Sequence, residues 1–417
     1  MFLKLFWKEC VQMVKSIAYA VYVVVLVLFY VTQLGTFEPL TKPEPGQESY
    51  GGVTFSEEES EIMAAALGSL ASDVERGSFT TYPFGFYKEI KPDEEEILRL
   101  KEILQEATGL DWEQLTARME ELEKEYQKSL GDGPRVVYGS YLNIPSADTL
   151  DYDRFEELME EVDSILGGGS SYAKESLSSL AVRPATYEDA LKQYEEVVEK
   201  DKVTGAYARV FSDYMGIMMG ILPVFLAVTR SLKDRRAKAR EVLWSRKASS
   251  ASMVLSRYLA AAAAGILPIL ILAFSMNLQS MYCAKTLEVN GDALAFVKYV
   301  GGWILPTMLF TLSMGFLITE MTDSALAVLI QGGVWYLATM MTSGSLEHVG
   351  KNLIPRWNSF GMSGQFRDLL PQLIANRLAY AAAALFMVLA TVGVFDLKRK
   401  GVWRSRGNLL GNRKSSH

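Results

Sequence analysis

The sequence predicts an all-α polytopic membrane protein, with six transmembrane helices and a large, mostly helical extracytoplasmic domain inserted between the first two. Two observations carry that prediction. Six apolar runs occur, at Ile17–Leu34, Val210–Thr229, Tyr258–Met276, Tyr299–Thr319, Ala325–Met341 and Leu378–Phe395, each 17 to 21 residues long. At about 1.5 Å per residue they cover about 26–32 Å, close to a hydrocarbon core of about 30 Å. Charge, moreover, is divided by segment. Residues 36–207 hold 38 Asp and Glu against 16 Lys and Arg, and the rest of the 417-residue chain holds 11 against 26, a division hidden by the net charge of −7. Together these exclude a soluble enzyme, a fibrous rod and a free secreted domain.

Residues 1–16 form an amphipathic segment. Leu3, Phe6, Trp7, Cys10 and Val14 share one helical face, and Lys4, Lys8 and Lys15 lie opposite. The pattern fits a helix lying in the membrane interface with its lysines toward lipid headgroups, and equally an extension of the first span. The run at 17–34 is long for a signal-peptide core and no A-x-A cleavage pattern follows, so it reads as a retained anchor.

Residues 35–207 form the acidic extracytoplasmic domain. Ser56 with Glu59 reads as a capping box before Ile62–Leu70. Pro92 opens a helix that ends before Gly109, and Asp111 caps the next one, with Trp112, Leu115, Met119, Leu122 and Tyr126 on one face. A third helix carries Tyr152, Phe155, Leu158, Met159, Val162 and Ile165, and stops at Gly167-Gly168-Gly169; a fourth starts at Thr186 with Asp189 and runs toward the second span. Val136–Tyr138 reads as one short strand. The acidic runs contain no calcium-loop pattern and read as solvated helix faces.

The second span follows at 208–229, then a basic loop at 230–257 with nine Lys and Arg against Asp234 and Glu241. Spans three to six occupy 258–395, and a basic tail occupies 396–417. Lys and Arg before the first span, in this loop and in the tail place all three on one side, the cytoplasm, so both termini are cytoplasmic in a multi-pass cell membrane protein, a bacterial plasma membrane being the expected setting.

Chemistry-bearing motifs are few. No G-x-x-x-x-G-K-[ST], G-x-S-x-G or H-E-x-x-H occurs, and the only histidines are His348 and His417. With Cys10 and Cys283 the only cysteines, no metal site of three or four His/Cys ligands can be assembled, and no catalytic residues are assigned. Arg209 and Asp213, spaced i, i+4 near a span end, read as a helix-end ion pair or a gate. Glu320 and Asp323 read as a solvated turn. Gly216 and Gly220 form a GxxxG that lets helices pack closely, as do Ala260–Ala264 and Ala381–Ala384. The spans are rich in Met, which suits a flexible lipophilic surface and ordinary packing alike. The basic loop adds an apolar trio, Val242, Leu243 and Trp244, that a purely positive loop does not need; lipid or a cytoplasmic protein is expected to dock there.

On these residues the chain resembles the permease subunit of an ABC-2 type transporter over nearly its whole length. The resemblance rests on the amphipathic start (Phe6, Trp7, Lys8, Glu9), six spans, a large insert after the first, and the loop R-x-x-x-R-E-V-L-W-S-R before the third. Asn376-Arg377-Leu378 and the closing Lys398-Arg399-Lys400-Gly401 are also similar to the end of such permeases. Ala239-Arg240, Lys247-Ala248 and Ser256-Arg257 depart from the family's usual residues around that loop.

The resemblance implies a machine of two permeases, homodimeric or heterodimeric, and two cytoplasmic ATPase chains that bind ATP and Mg. It implies ATPase coupling through Arg240, Glu241, Val242, Leu243 and Trp244, an elbow helix at residues 1–15, and short outer helices within Ser345–Asn376. Export by this chain, with no cofactor of its own and no nucleic acid, is the leading expectation. A polytopic receptor or sensor, whose outer domain binds a ligand and whose inner loop signals, is the alternative; a membrane-embedded enzyme lacks its catalytic sets.

Overall fold

A computed structural model describes residues 2–403, apart from 48, 51–52, 57, 83–86, 130–141, 237–243, 246, 341–351 and 358. The chain is mostly helical and divides into two compact units, residues 42–192 and the remainder. The expected strand at Val136–Tyr138 lies outside the described residues.

The acidic unit contains helices α3 (Glu59–Arg76), α4 (Glu94–Thr108), α5 (Trp112–Ser129) and α6 (Tyr152–Ile165). Their apolar stripes meet in one core of Leu67, Leu70, Leu100, Ile103, Leu104, Phe155, Leu158 and Val162. The caps decide the helix ends. Asp93 and Glu96 form a reciprocal capping box at 2.9 Å each way, and Gly109, at φ 72°, ends α4. The expected box at Ser56 and Glu59 does not form: Ser56 Oγ accepts from Glu58 N, and α3 begins without a side-chain cap.

Sequence patterning also missed two small antiparallel sheets. Strand β1 (Val53–Phe55) pairs with β4 (Val182–Pro184), and β2 (Phe79–Thr81) with β3 (Lys88–Ile90). Strands of three residues are too short to display a period of two. Gly68 on α3 is needed for close approach, because a Cβ there would lie 1.6 Å from the Leu142 carbonyl oxygen. Helix α7 (Tyr187–Glu195) starts at the expected Thr186–Asp189 pair: Asp189 N donates to Thr186 Oγ1, and Thr186 N to Asp189 Oδ2.

The other unit contains α1 (Phe2–Val14), α2 (Ile17–Leu34), α8 (Thr204–Met219), α9 (Leu222–Arg236), α10 (Ser250–Thr286), α11 (Ala295–Thr322), α12 (Leu326–Met340) and α13 (Ser363–Arg399). Among the described residues, five helical segments are long and apolar enough to cross a membrane: α2, α8 with α9, α10, α11 and α13. The expected fifth of six spans corresponds to α12, a shorter apolar helix that ends where the described residues end. Ser16 turns the chain between α1 and α2, donating to Met13 O and accepting from Tyr19 N.

Inside the bundle, Tyr22, Leu26 and Tyr30 of α2 pack with Phe211, Met215 and Met219 of α8, Ala261, Ala264 and Ile269 of α10, and Met308 and Leu312 of α11. The alanine run lets α10 approach closely enough for Tyr22 Oη to donate to Gly265 O at 2.7 Å.

Three expected boundaries change. Residues 250–257, read as loop, form the first turns of α10. The short helices expected before the last span are instead continuous with it from Ser363, with Pro371 inside the helix. The fourth helix of the acidic segment, expected to run through Lys202 toward the second span, continues as a π-turn at Glu196–Lys200 and stops there, with Lys202 and Val203 both at positive φ. Thr204 N donates to Lys202 O at 2.7 Å, closing a tight turn around Val203, a conformation costly for a buried β-branched residue.

Candidate functional site

The charges of the bundle gather at its two ends, with a polar break between them. At the end carrying α1, Arg230 of α9 donates to both Glu9 oxygens, at 2.5 and 2.6 Å, and lies 3.2 Å from Asp234 one turn on. Arg257 of α10 pairs with Asp234 and lies 3.6 Å from Glu9. Two buried arginines and two half-buried carboxylates, of zero net sign, thus tie α1 to α9 and α10. Nearby, Lys398 of α13 pairs with Asp323 at 3.1 Å and Glu320 at 3.5 Å. Glu320 and Asp323, expected in a solvated turn, are themselves buried, although Met321 and Ser324 beside them are exposed, and Arg235 donates to the Asp323 carbonyl.

Helix α1 divides its apolar face. Leu5, Phe6, Cys10 and Met13 are half-buried or buried, whereas Leu3, Trp7, Val11 and Val14 are exposed beside Lys4 and Lys8. Of the coupling residues expected in the basic loop, Arg240, Glu241, Val242 and Leu243 lie outside the described residues. Trp244 is half-buried and packs with Leu5, Ala248, Met253, Val254, Val392 and Phe395. Cys10 and Cys283 are both free thiols.

In the middle, the second span breaks between Met219 and Leu222. Pro223, in the first turn of α9, has no N–H to donate to the preceding turn, which favours the break. Side chains from other spans serve the freed backbone. Gln331 of α12 donates to Gly220 O, Thr311 of α11 does so at 3.4 Å, and Trp335 Nε1 donates to Ile217 O at 2.9 Å. The GxxxG pair is used within the chain. A Cβ on Gly220 would meet Ile354 Cδ1 at 2.4 Å, and Gly216 faces the Trp303 indole at 3.8 Å.

At the opposite end, residues 352–357 and 359–362 enter the bundle. Leu353 and Ile354 are buried against Ile217, Phe310, Val334 and Trp335. Arg209 and Asp213 hold this segment and do not pair with each other. Arg209, 0% exposed, binds both Asp201 oxygens at 3.1 and 2.7 Å and donates to the Phe360 and Gly361 carbonyls. Asp213 accepts from Arg356 Nε at 3.1 Å and from Trp357 N. Asp201 and Glu196 accept from Ser363 Oγ and N, placing two carboxylates at the N-terminus of α13, where the helix dipole favours them. Arg377 of α13 donates to Thr307 Oγ1, Leu353 O, Asn352 O and Asn376 Oδ1.

Sequence reasoning named Arg209, Asp213, Gly216 and Gly220 but not their partners, and missed Glu9 as the anchor of a network. One signal was available: Glu9 is the only acidic residue among the first 37. Among the described residues no group of His, Cys, Asp or Glu is placed to hold a metal ion. No protein-family profile, curated protein or solved structure matches the chain. What stands at this point is a helical protein with five helices able to cross a membrane and buried charge clusters at both ends of the bundle.

Proposed function

We propose that this chain is the permease subunit of an ABC-2 type exporter, lining a translocation path driven by a separate ATPase. In this reading the α1 end faces the cytoplasm, residues 42–192 lie outside the cell, and the two-permease assembly recruits its ATPase through the basic loop. The observation that carries the reading is the Glu9–Arg230–Asp234–Arg257 network, in which both arginines are buried. It joins the amphipathic helix to the two spans that flank the basic loop, so a force applied at Glu241 and Trp244 reaches three elements together. The broken second span supports it too, since a half-helix next to the loop can tilt while the other half stays held by Asp213 and Arg209.

The test is ATP hydrolysis by the purified assembly in nanodiscs. Trp244→Ala and Glu241→Ala are expected to lower turnover at least tenfold while the protein keeps its thermal midpoint. Unchanged turnover in both variants would remove the coupling role and favour the receptor alternative.

A further inference from the structure

The end of the bundle opposite α1 is rich in hydrogen-bond donors that the chain does not use. Phe366 of α13 is surrounded by Trp303, stacked at 5.9 Å, Trp357 at 5.5 Å, and the Arg209 guanidinium at 5.0 Å from the ring centre. Both indole Nε1 atoms are buried, and neither has a hydrogen-bond partner among the described residues. Asn352 Nδ2 is a third unpartnered donor, and the Ser212 hydroxyl, one turn from Gly216 and its Trp303 contact, is unpartnered as well. Trp303, Trp357 and Asn352 are 2%, 2% and 8% exposed, and Ser212 is 0% exposed.

The charge balance has the same sign. Arg209 is paired with Asp201 and Arg356 with Asp213, but Arg377 has only neutral oxygens around it among the described residues. Arg377 also joins the donors to one another, because it binds the carbonyl of Asn352 and lies 3.4 Å from the carbonyl of Trp303. A buried polar group without a partner costs free energy, and a buried charge without a counter-charge costs more. Tight folding would have placed acceptors here if stability alone set the site. Trp303 and Trp357 pack on Phe366, and Arg377 reaches the backbone carbonyls of Trp303 and Asn352; unpartnered donors beside an uncompensated cation suit an incoming group made of oxygen acceptors with negative charge.

We infer that this aromatic cluster receives the phosphate or carboxylate head of an anionic amphiphile, with Trp303, Trp357 and Asn352 donating to it and Arg377 supplying the balancing charge. The inference rests on the permease reading only in naming that amphiphile as cargo. Binding itself needs no ATPase, so the two readings fail separately.

The experiment uses the full-length protein in phosphatidylcholine nanodiscs, with tryptophan fluorescence as readout. The probes are decyl phosphate, inorganic phosphate, phosphatidylglycerol replacing part of the bilayer, and uncharged decyl maltoside. A saturable change with decyl phosphate and none with decyl maltoside is expected. Saturation by inorganic phosphate alone would also support the site and make a free anion its ligand; saturation by phosphatidylglycerol alone would support it and make a bilayer lipid the source.

The variants Trp303→Phe, Trp357→Phe and Asn352→Ala remove donors that have no partner among the described residues, and Arg377 keeps the Asn352 backbone carbonyl. Their thermal midpoints should therefore match the parent, while affinity for the responding anionic probe falls at least tenfold in each. Either Trp→Phe variant leaves the other indole as reporter. No saturable response to any anionic probe, an equal response to decyl maltoside, or unchanged affinity in all three variants would overturn the inference.

Discussion

Charge is handled in opposite ways by the two units. In residues 42–192 it is abundant and largely exposed, and many pairs lie one helical turn apart: Arg99 with Glu102, Arg118 with Glu121 and Arg154 with Glu157 are all i, i+3 pairs on helix surfaces, although Arg99 and Arg154 also reach Glu161 and Glu106. In the bundle it is sparse and buried, and its partners are mostly distant in sequence. Arg230 reaches Glu9, Asp213 reaches Arg356, and Lys398 reaches Asp323. Water lets a surface side chain accept any nearby partner. A buried charge has no such fallback, so the fold must bring it a specific one. The contrast teaches that helix spacing predicts ion pairs where they matter least.

The sharpest test of that contrast is Arg230→Met, which leaves the half-buried Glu9 and Asp234 with Arg257 as their one remaining cation among the described residues. A loss of about 3–5 kcal/mol is expected, read as a large fall in thermal midpoint in detergent. Adding Glu9→Gln to it should cost less than the two separate losses combined. If Arg230→Met behaves like a surface change, the bundle's charges are not what ties α1 down.

Next in size are the two crowded glycines, one in each unit. Gly68→Ala drives a methyl into a backbone carbonyl and should destabilise the acidic unit by about 2–3 kcal/mol. Gly220→Ala meets the movable end of Ile354 and should cost about 1 kcal/mol. The reverse order in chemical unfolding of the full chain would mean that the bundle is the more tightly packed unit at these positions.

Smaller still is the pH response. The Arg183 guanidinium, hydrogen-bonded to Asp189, holds that carboxyl down at about 2, helped by Thr186. Because the folded pKa is depressed, the stabilisation is present above the ordinary carboxylate range and is lost as pH falls through about 2. Asp189→Asn should therefore flatten the acid limb of unfolding of residues 42–192 between about pH 4 and 2. An unchanged acid limb would deny the pair any role. Arg99→Gln closes the series: its exposed pairs with Glu102 and Glu161 should leave the midpoint within error of the parent, and high salt should erase any residual shift.

Much of the architecture was legible because it follows from periodicity and length. The helices at 94–108, 112–129 and 152–165 stand where their apolar stripes and caps put them, and five of the six apolar runs fall in helices long enough to cross a membrane. Two kinds of feature were not legible. Three-residue strands and the tight turn at Val203 carry no periodic signal, being set by tertiary contacts. The partners of Arg209, Asp213 and Glu9 lie 8, 143 and 221 residues away, a range over which spacing says nothing. The continuity of α13 through Pro371 was hidden because proline usually marks a boundary.

The most direct measurement is to extract the tagged protein gently from its native membrane and identify by mass spectrometry what comes with it. The permease account predicts a stoichiometric cytoplasmic partner containing G-x-x-x-x-G-K-[ST], lost when Glu241 and Trp244 are both changed to Ala. A preparation without any ATPase, carrying instead an extracellular ligand or a cytoplasmic signalling protein, would contradict it.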